Sequence, residues 1–318
     1  MNPWNLTNQN IRMKKHFFLL LLFFICIIRP TVADCIDSGI SVWPNTNEFS
    51  LNSVLIIEGF GNSQNIIRGL NSKHKIYLKS DNGKVSLEII KIYEGQYGLT
   101  QALLKPAGEL IVGSTYTLEI DSLDAYPKED SQVFTWIVTN NLDNEAPVWK
   151  QEPTFVSKHK MMFGCGPEVY VNFCVCIQDK SPVAVLTKLK DLKTGKVTEY
   201  LVTPESTLLR IGHNMCSGAF DFENDGTYEI TFSLMDACGN KNETFTKAIQ
   251  FTSPAEEEGN SEEKVVCGCL DDAEEGKIGY SYPDHAEGNN TNRILPGIAG
   301  LILLILISLI MYWRRRKR

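Results

Sequence analysis

Apolar and polar side chains alternate along much of the chain after residue 36. In TYTLEI (115–120) the apolar side chains of Tyr116, Leu118 and Ile120 share one face and the polar ones share the other, which is the period of a half-buried β-strand. Between two such runs, Asp81, Asn82 and Gly83 form a hairpin signal. Runs of this kind predict strands at 53–60, 75–80, 84–95, 115–120 and 132–139.

A second β-rich region is predicted from 154 to 252. In EVYVNFCVCIQD (168–179) the odd-numbered positions from 169 to 177 are apolar and point one way, while Cys174 and Cys176 point the other way. GTYEITFSLMDACGN (226–240) alternates as well. Between the two regions, DNEAPVWKQEP (143–153) holds two prolines and several charges, a composition typical of a linker between domains.

Near both ends of the chain the apolar residues form long runs instead of alternating with polar ones. Residues 294–313 are twenty uncharged residues followed by five cations at 314–318, which predicts a membrane-spanning helix with a basic cytoplasmic tail. Near the start, Lys14 and Lys15 precede twelve apolar residues at 17–28. This pattern predicts a signal peptide over 1–33, starting at Met13 and cleaved after Ala33.

These two ends predict a single-pass protein of the cell envelope whose middle, about 34–290, is exported. The formal charge of the chain is −7, and without the four cations of the signal segment and the five of the tail the exported part carries about −16. Such an acidic protein is not expected to bind nucleic acid, which requires Lys and Arg against phosphates. Eleven of the acidic residues lie in 256–287, which predicts an extended, solvated stalk.

The cysteines favour disulfides. Nine are present, and the loss of Cys26 with the signal leaves an even number in an oxidising compartment. Five lie within 165–238, so at least one bridge is expected to reach outside that stretch. The two C-x-C pairs leave open a four-thiolate zinc site or redox chemistry, although structural zinc usually prefers C-x2-C. The disulfide candidates are Cys35, Cys165, Cys174, Cys176, Cys216, Cys238, Cys267 and Cys269.

No catalytic, metal or cofactor site is predicted. The sequence has no serine-nucleophile motif, no H-E-x-x-H and no Gly-rich phosphate loop. DFENDGTYE starts like an EF-hand loop at Asp221, but Phe232 occupies its twelfth place and cannot ligate calcium. His213 lies three residues from Cys216, and we interpret it as a loop residue beside a bridged cysteine. The chain is therefore not expected to be an enzyme.

Three segments resemble bacterial families. DGTYEITFSLMDACGN resembles the penultimate strand of bacterial Ig-like repeats, with Asp236, Gly239 and Asn240 in its D-x-x-G-N turn. KPAGELIVGSTYTLEI followed by FTWIVT resembles the second half of another bacterial Ig-like type. The last 25 or so residues resemble the C-terminal sorting tails of Gram-negative surface proteins. In those families the tail can be removed when the protein is moved to the cell surface. The resemblances imply two Ig-like sandwiches and say little about function.

The sequence thus predicts an all-β protein: two tandem Ig-like β-sandwiches, with a signal peptide and one transmembrane helix. Its expected role is binding or structural, of the adhesion type, with an unknown protein or glycan ligand held at loops or at an exposed strand edge. The alternatives are a redox or metal-handling envelope protein and an accessory or inhibitor of an envelope enzyme. The expected divisions are 1–33 signal peptide, 34–142 first domain, 143–153 linker, 154–252 second domain, 253–293 stalk, 294–313 helix anchored in the lipid bilayer and 314–318 tail.

Overall fold

The protein is mostly β-structure. A computed structural model describes residues 38–121, 133–164, 166–242, 244–255 and 267–269, and all of these belong to one compact unit. In the N-terminal half, 38–142, the described residues include one short helix, α1 (Gln64–Arg68), after a 3-10 turn (Gly61–Ser63). Its strands are β1 (Gly39–Trp43), β2 (Glu48–Phe49), β3 (Leu55–Phe60), β4 (Ile76–Ser80), β5 (Gly83–Glu94), β6 (Leu99–Pro106), β7 (Thr115–Ile120) and β8 (Thr135–Val138).

The eight strands of the N-terminal half form one sheet in the order β1-β3-β6-β5-β4-β7-β8-β2. β5 joins its two parts, since its first residues pair with β4 and its later residues pair with β6. Leu55 and Leu104 from one part lie in the same buried cluster as Leu78 and Trp136 from the other. The sheet therefore folds over at β5 and encloses a core of its own.

The predicted hairpin between β4 and β5 is confirmed. Lys79 pairs with Lys84 and Ser80 with Gly83 across a two-residue loop. Gly83 has a φ of +129°, a backbone conformation that side chains rarely adopt. The turn chemistry of Asn82 and Gly83 therefore fixes the register of these two strands.

The C-terminal half, from residue 143, contains two sheets. The strand order is β13-β10-β9 in the first and β12-β11-β14-β15 in the second, where β16 also pairs with β14. The strands are β9 (Val148–Phe163), β10 (Gly166–Gln178), β11 (Val183–Asp191), β12 (Val197–Val202), β13 (Leu208–His213), β14 (Thr227–Asp236), β15 (Lys241–Asn242) and β16 (Ile249–Thr252).

These two sheets pack face to face around aromatic side chains. The ring of Phe173 on β10 lies 5.1 Å from that of Phe232 on β14 and 6.3 Å from that of Phe251 on β16. Val169 and Val171 are also buried on β10, which confirms the face predicted from its alternation. Burial of these side chains, at roughly 25 cal/mol per Å² of apolar surface, is the main stabilising contribution.

The core of the C-terminal half also includes residues of the N-terminal half. Leu103 of β6 and Ile56 of β3 belong to the same buried cluster as Tyr200 of β12. The side chain of Gln101 donates to Leu201 O (3.1 Å) and accepts from Leu201 N (3.3 Å), so the amide completes a hydrogen-bond pair between the halves. The two halves are thus joined both by a shared apolar core and by this pair of hydrogen bonds.

Several predicted segments lie outside the described residues: 1–33, 294–313, 314–318 and nearly all of 253–293. Within the described ranges, no helix is long and apolar enough to cross a membrane. Of the predicted linker, 143–147 has no regular structure and 148–153 belongs to β9.

Candidate functional site

The surface with the clearest capacity for binding is the free edge of β9. β9 is sixteen residues long and pairs with β10 on one side. No strand of the described residues pairs with its other side. An edge strand leaves alternate N–H and C=O groups without a partner, and these can hydrogen-bond another extended chain.

β9 also holds the largest group of exposed apolar side chains. Fourteen large apolar residues are exposed among the described residues, and five of them lie on this one strand. Met162 is 60% exposed. These five side chains are spread along the strand and over both of its faces, and exposed apolar side chains beside an unpaired edge are typical of an interaction surface. The five are Val148, Phe155, Val156, Met162 and Phe163.

The pairing of β9 with β10 has three register shifts, and the last of them along β9 is a bulge that divides the strand into two parts. Phe155 pairs with Phe173, but the next pair joins Ser157 to Asn172, so Val156 is the extra residue. The ring of Phe155 lies 6.0 Å from that of buried Phe173. Beyond the bulge the alternation resumes.

Two lysines occupy the core-facing row of β9 after this bulge. Lys158 lies opposite Val171 and Lys160 opposite Val169, both of which are buried. Directly opposite residues share a face of the sheet, so the lysine stems extend over the side of the core. Their ammonium groups reach the other sheet, where Lys158 Nζ donates to Thr252 Oγ1 (2.9 Å) and Lys160 Nζ to Asn224 Oδ1 (2.8 Å).

Disulfides fasten the outer face of the neighbouring strand, β10. Cys174 is bonded to Cys267 and Cys176 to Cys269, which confirms that bridges leave the cysteine-rich stretch. Both C-x-C pairs are therefore oxidised and offer no thiolates to zinc here.

The remaining cysteines differ from one another. Cys216 is disulfide-bonded, whereas Cys238 carries a free, buried thiol. Burial raises the pKa of that thiol, which makes it a weak nucleophile. Cys35 and Cys165, the other two disulfide candidates, lie outside the described residues.

Three carboxylates that the sequence did not group together meet near the start of the C-terminal half. Oxygens of Asp143, Asp179 and Asp236 lie within 4.8 Å of one another, a spacing that could hold a cation. Burial raises the pKa of Asp236 and of Asp179. A hydrogen bond from Ser181 is the main reason that the pKa of Asp143 is lowered.

Asp236 also has a structural role in this cluster. It accepts hydrogen bonds from the backbone N–H groups of Cys238 and Asn240 (2.8 Å each) and from the Asn240 side chain (2.8 Å). The same Asn240 amide donates to Asp143 O (2.8 Å). These contacts close the D-x-x-G-N turn and tie it to residue 143.

A buried histidine lies where the two halves meet at the β5–β6 turn. His213 is 2% exposed, its Nε2 is 3.3 Å from Asp221 Oδ1, and Tyr97 stacks on it at 4.3 Å. Burial lowers the pKa of His213, but the hydrogen bonds to Asp221 and Asn214 O and the Asp221 charge outweigh it and raise that pKa. His213 is thus the last residue of β13 and a buried partner of Asp221, and not a loop residue as the sequence had suggested. Nothing in the sequence indicated that these two side chains would meet.

Solved structures resemble this chain only weakly. A pullulanase from Anoxybacillus sp. LM18-11 aligns with 63% of this chain at 13% identity and a TM-score of 0.20, and only 24% of that enzyme is covered. A cytokine receptor complex aligns with 68% of this chain and 97% of its own at 8% identity and a TM-score of 0.22. Salmonella alpha-2-macroglobulin aligns with 68% of this chain and 14% of its own, at 10% identity and 0.20.

No family model matches the sequence, and no curated protein matches it. The aligned part spans about a quarter of the pullulanases. Likenesses at this level assign neither a family nor an activity, so the functional argument depends on the geometry of the chain itself.

Proposed function

We propose that this chain is a binding protein without enzymatic activity, and that it captures an extended segment of a partner protein along β9. The observation that carries the proposal is the long β9 edge, which is unpaired among the described residues and bears five exposed apolar side chains. Strand addition would satisfy the free backbone groups and cover those side chains together.

The structure of β9 fits this mode of binding better than a loop-based one. Soluble proteins usually protect a sheet edge by keeping it short or by placing charges and prolines on it. β9 carries Pro153 and the lysines Lys158 and Lys160, but it is sixteen residues long and five of its apolar side chains remain exposed. Its pairing with β10 holds it extended before any partner arrives, which lowers the ordering cost of binding.

The wider setting belongs to the same proposal. Two Ig-like domains would display this edge outside the cell, and residues 294–313 would hold the chain in the bilayer. The face-to-face sheets around Phe173 and the turn closed by Asp236 support an Ig-like arrangement. The oxidised C-x-C pairs support an exported location.

Strand addition can be tested with the full chain in mild detergent and a displayed library of linear peptides. Enriched peptides would be resynthesised with a single N-methyl group at each position in turn. Since only every second N–H of an added strand faces β9, we expect binding to fall at alternate positions. Equal sensitivity at every position, or none, would contradict the proposal.

Matched variants locate the site. Met162→Lys and Phe163→Lys should weaken binding of these peptides about tenfold or more, because they place a charge where apolar side chains are covered. Val133→Lys and Leu142→Lys change apolar residues that are 69% and 62% exposed but lie outside β9. These controls should bind as the unaltered chain does, and a loss in the controls as large as in the β9 variants would place the site elsewhere.

A further inference from the structure

The charge on the second part of β9 narrows the chemistry of its partner. Lys158 and Lys160 lie two positions apart in one row, so their attachment points are about 6.6 Å apart along the strand. Phe155 lies before them on the same side of the sheet, and Met162 follows Lys160 in the same row. The row thus has an apolar residue at each end and two cations between.

Neither of these ammonium groups has an anionic partner among the described residues. Both donate to neutral oxygens, Thr252 Oγ1 and Asn224 Oδ1. The neighbouring His159 lies in the other row, 3.7 Å from Glu168. A carboxylate is a stronger acceptor for an ammonium group than a hydroxyl or an amide, so both lysines can gain an interaction from an acidic ligand.

Two lysines without an anionic partner among the described residues give this row a local excess of positive charge in a chain whose net charge is −7. A local reversal of sign on a binding surface selects a partner of the opposite charge and speeds its association. A basic or neutral strand would bring no negative charge to balance the two ammonium groups. Charge complementarity therefore favours an acidic segment over a second copy of β9, which would bring like charges together.

We propose that the segment added to β9 carries carboxylates at two alternate positions, aligned with Lys158 and Lys160, and apolar side chains on either side of them. The proposal rests on the strand addition put forward above and assigns the occupant of that same edge. Side chains directly opposite in neighbouring strands have Cβ atoms about 5 Å apart. An acid-x-acid pattern reaches both lysines at once, and two adjacent acids do not, because they point to opposite faces.

The test uses three synthetic peptides on the full chain. One has two glutamates at alternate positions between apolar residues, the second has the same composition with the glutamates adjacent, and the third has glutamines at the alternate positions. Exposed ion pairs are each worth about a two- to fivefold change in affinity. We therefore expect the alternate-acid peptide to bind about five- to tenfold more tightly than either control at low salt, with the advantage shrinking as salt rises.

Variants tie the preference to the two lysines. Lys158→Gln with Lys160→Gln should abolish the advantage, and Lys158→Glu with Lys160→Glu should transfer it to a peptide with alternate lysines. The control, Lys73→Gln with Lys193→Gln, alters exposed lysines elsewhere and should keep the advantage. Equal binding of the three peptides, or an advantage that persists in the Lys158/Lys160 variants, would overturn the inference.

The outcomes separate the two proposals. Peptides that show alternate N-methyl sensitivity without any preference for acids would leave strand addition standing and remove the acidic partner. No β9-dependent binding of any peptide would remove both. Self-association of the full chain that these peptides displace, measured by sedimentation, would identify a second copy as the occupant and contradict the partner-protein assignment.

Discussion

The N-terminal and C-terminal halves are both built from β-strands but are stabilised differently. Among the described residues, the core of the N-terminal half is made only of its own side chains, and its sequence over 38–142 contains no cysteine. The C-terminal half shares its core with Leu103 and three other residues of the N-terminal half, and two disulfides fasten its strand β10. The core of the N-terminal half therefore depends on its own residues, whereas the C-terminal half also depends on residues of the N-terminal half and on disulfides.

This difference matters for β9. Within the part of the chain that the structure describes, β9 lies at the edge of a three-stranded sheet and pairs with one neighbour, β10. β10 is itself held by β13, by the shared core and by the disulfides at Cys174 and Cys176. The bracing of β10 therefore keeps β9 extended, although no strand of the described residues lies on its other side.

The largest expected effect comes from the two disulfides of β10. Each joins residues 93 apart, and the chain-entropy model gives about 4–5 kcal/mol for a loop of that length. Because both close nearly the same loop, either one alone should retain most of the stabilisation. Replacing all four cysteines by alanine should therefore cost far more than the sum of Cys174→Ala/Cys267→Ala and Cys176→Ala/Cys269→Ala, measured by denaturant unfolding. Simple additivity would contradict this account.

A matched pair on β6 separates the two cores. Leu103 and Leu104 are both buried, but Leu103 lies in the core of the C-terminal half and Leu104 in that of the N-terminal half. Each leucine-to-alanine change should cost about 2–5 kcal/mol. Hydrogen exchange should show protection lost in β4 and β7 for Leu104→Ala, and in β12 and β14 for Leu103→Ala. The same pattern in both variants would mean that the halves do not have distinct cores.

A smaller, pH-dependent effect is expected at the contact between the halves. The pKa of His213 is raised and that of Asp221 is lowered, chiefly by their hydrogen bond. The raised histidine pKa contributes stability that is present below its ordinary value of about 6.5 and is lost as pH rises through the raised value. The lowered carboxyl pKa contributes stability that is lost on acidification.

His213→Gln should accordingly lose on the order of 1 kcal/mol near pH 6, with the half-exposed carboxylate limiting the effect. The difference from the unaltered chain should shrink above neutral pH. Denaturant unfolding across this pH range measures it, and Tyr97→Phe, which keeps the ring over His213, serves as the control. A deficit that does not change with pH would show that packing and not charge is lost.

The smallest effect is expected from Glu58 beside Tyr200. Burial raises the pKa of Glu58, although Tyr200, Gln101 and Ser41 donate hydrogen bonds that lower it. The folded state therefore holds this proton more tightly than the unfolded state does, so stability falls as pH rises from the ordinary glutamate pKa of about 4.3 through the raised value. Glu58→Gln should flatten this fall in a pH series of unfolding midpoints. An unchanged slope would contradict it.

Regular alternation made part of the fold predictable. β7 has the predicted bounds, and β3, β4, β5 and β10 lie within two residues of theirs. β9 could not be read in this way, because the bulge at Val156 shifts its phase and Lys158 and Lys160 occupy positions where an apolar residue is expected. The bulge at Val156 and the two lysines, which interrupt the alternation of this strand, also belong to the candidate binding surface.

The site residues, too, could be predicted from the sequence only in part. An even count of exported cysteines predicted bridges, but pairing of Cys174 with Cys267 depends on where the chain after β16 returns, and spacing does not encode that. The meeting of Asp143, Asp179 and Asp236 arises from three separate segments. Long-range contacts of this kind require the fold before they can be seen.

The central claim is that the free edge of β9 takes up an added strand. Residue-resolved amide exchange of the full chain, with and without the alternate-acid peptide, tests it most directly. Since alternate N–H groups of β9 face away from β10, the account predicts new protection at every second residue of β9 and none at β1 or β2. Protection confined to loops or to the N-terminal half, or no protection at a saturating peptide concentration, would contradict it.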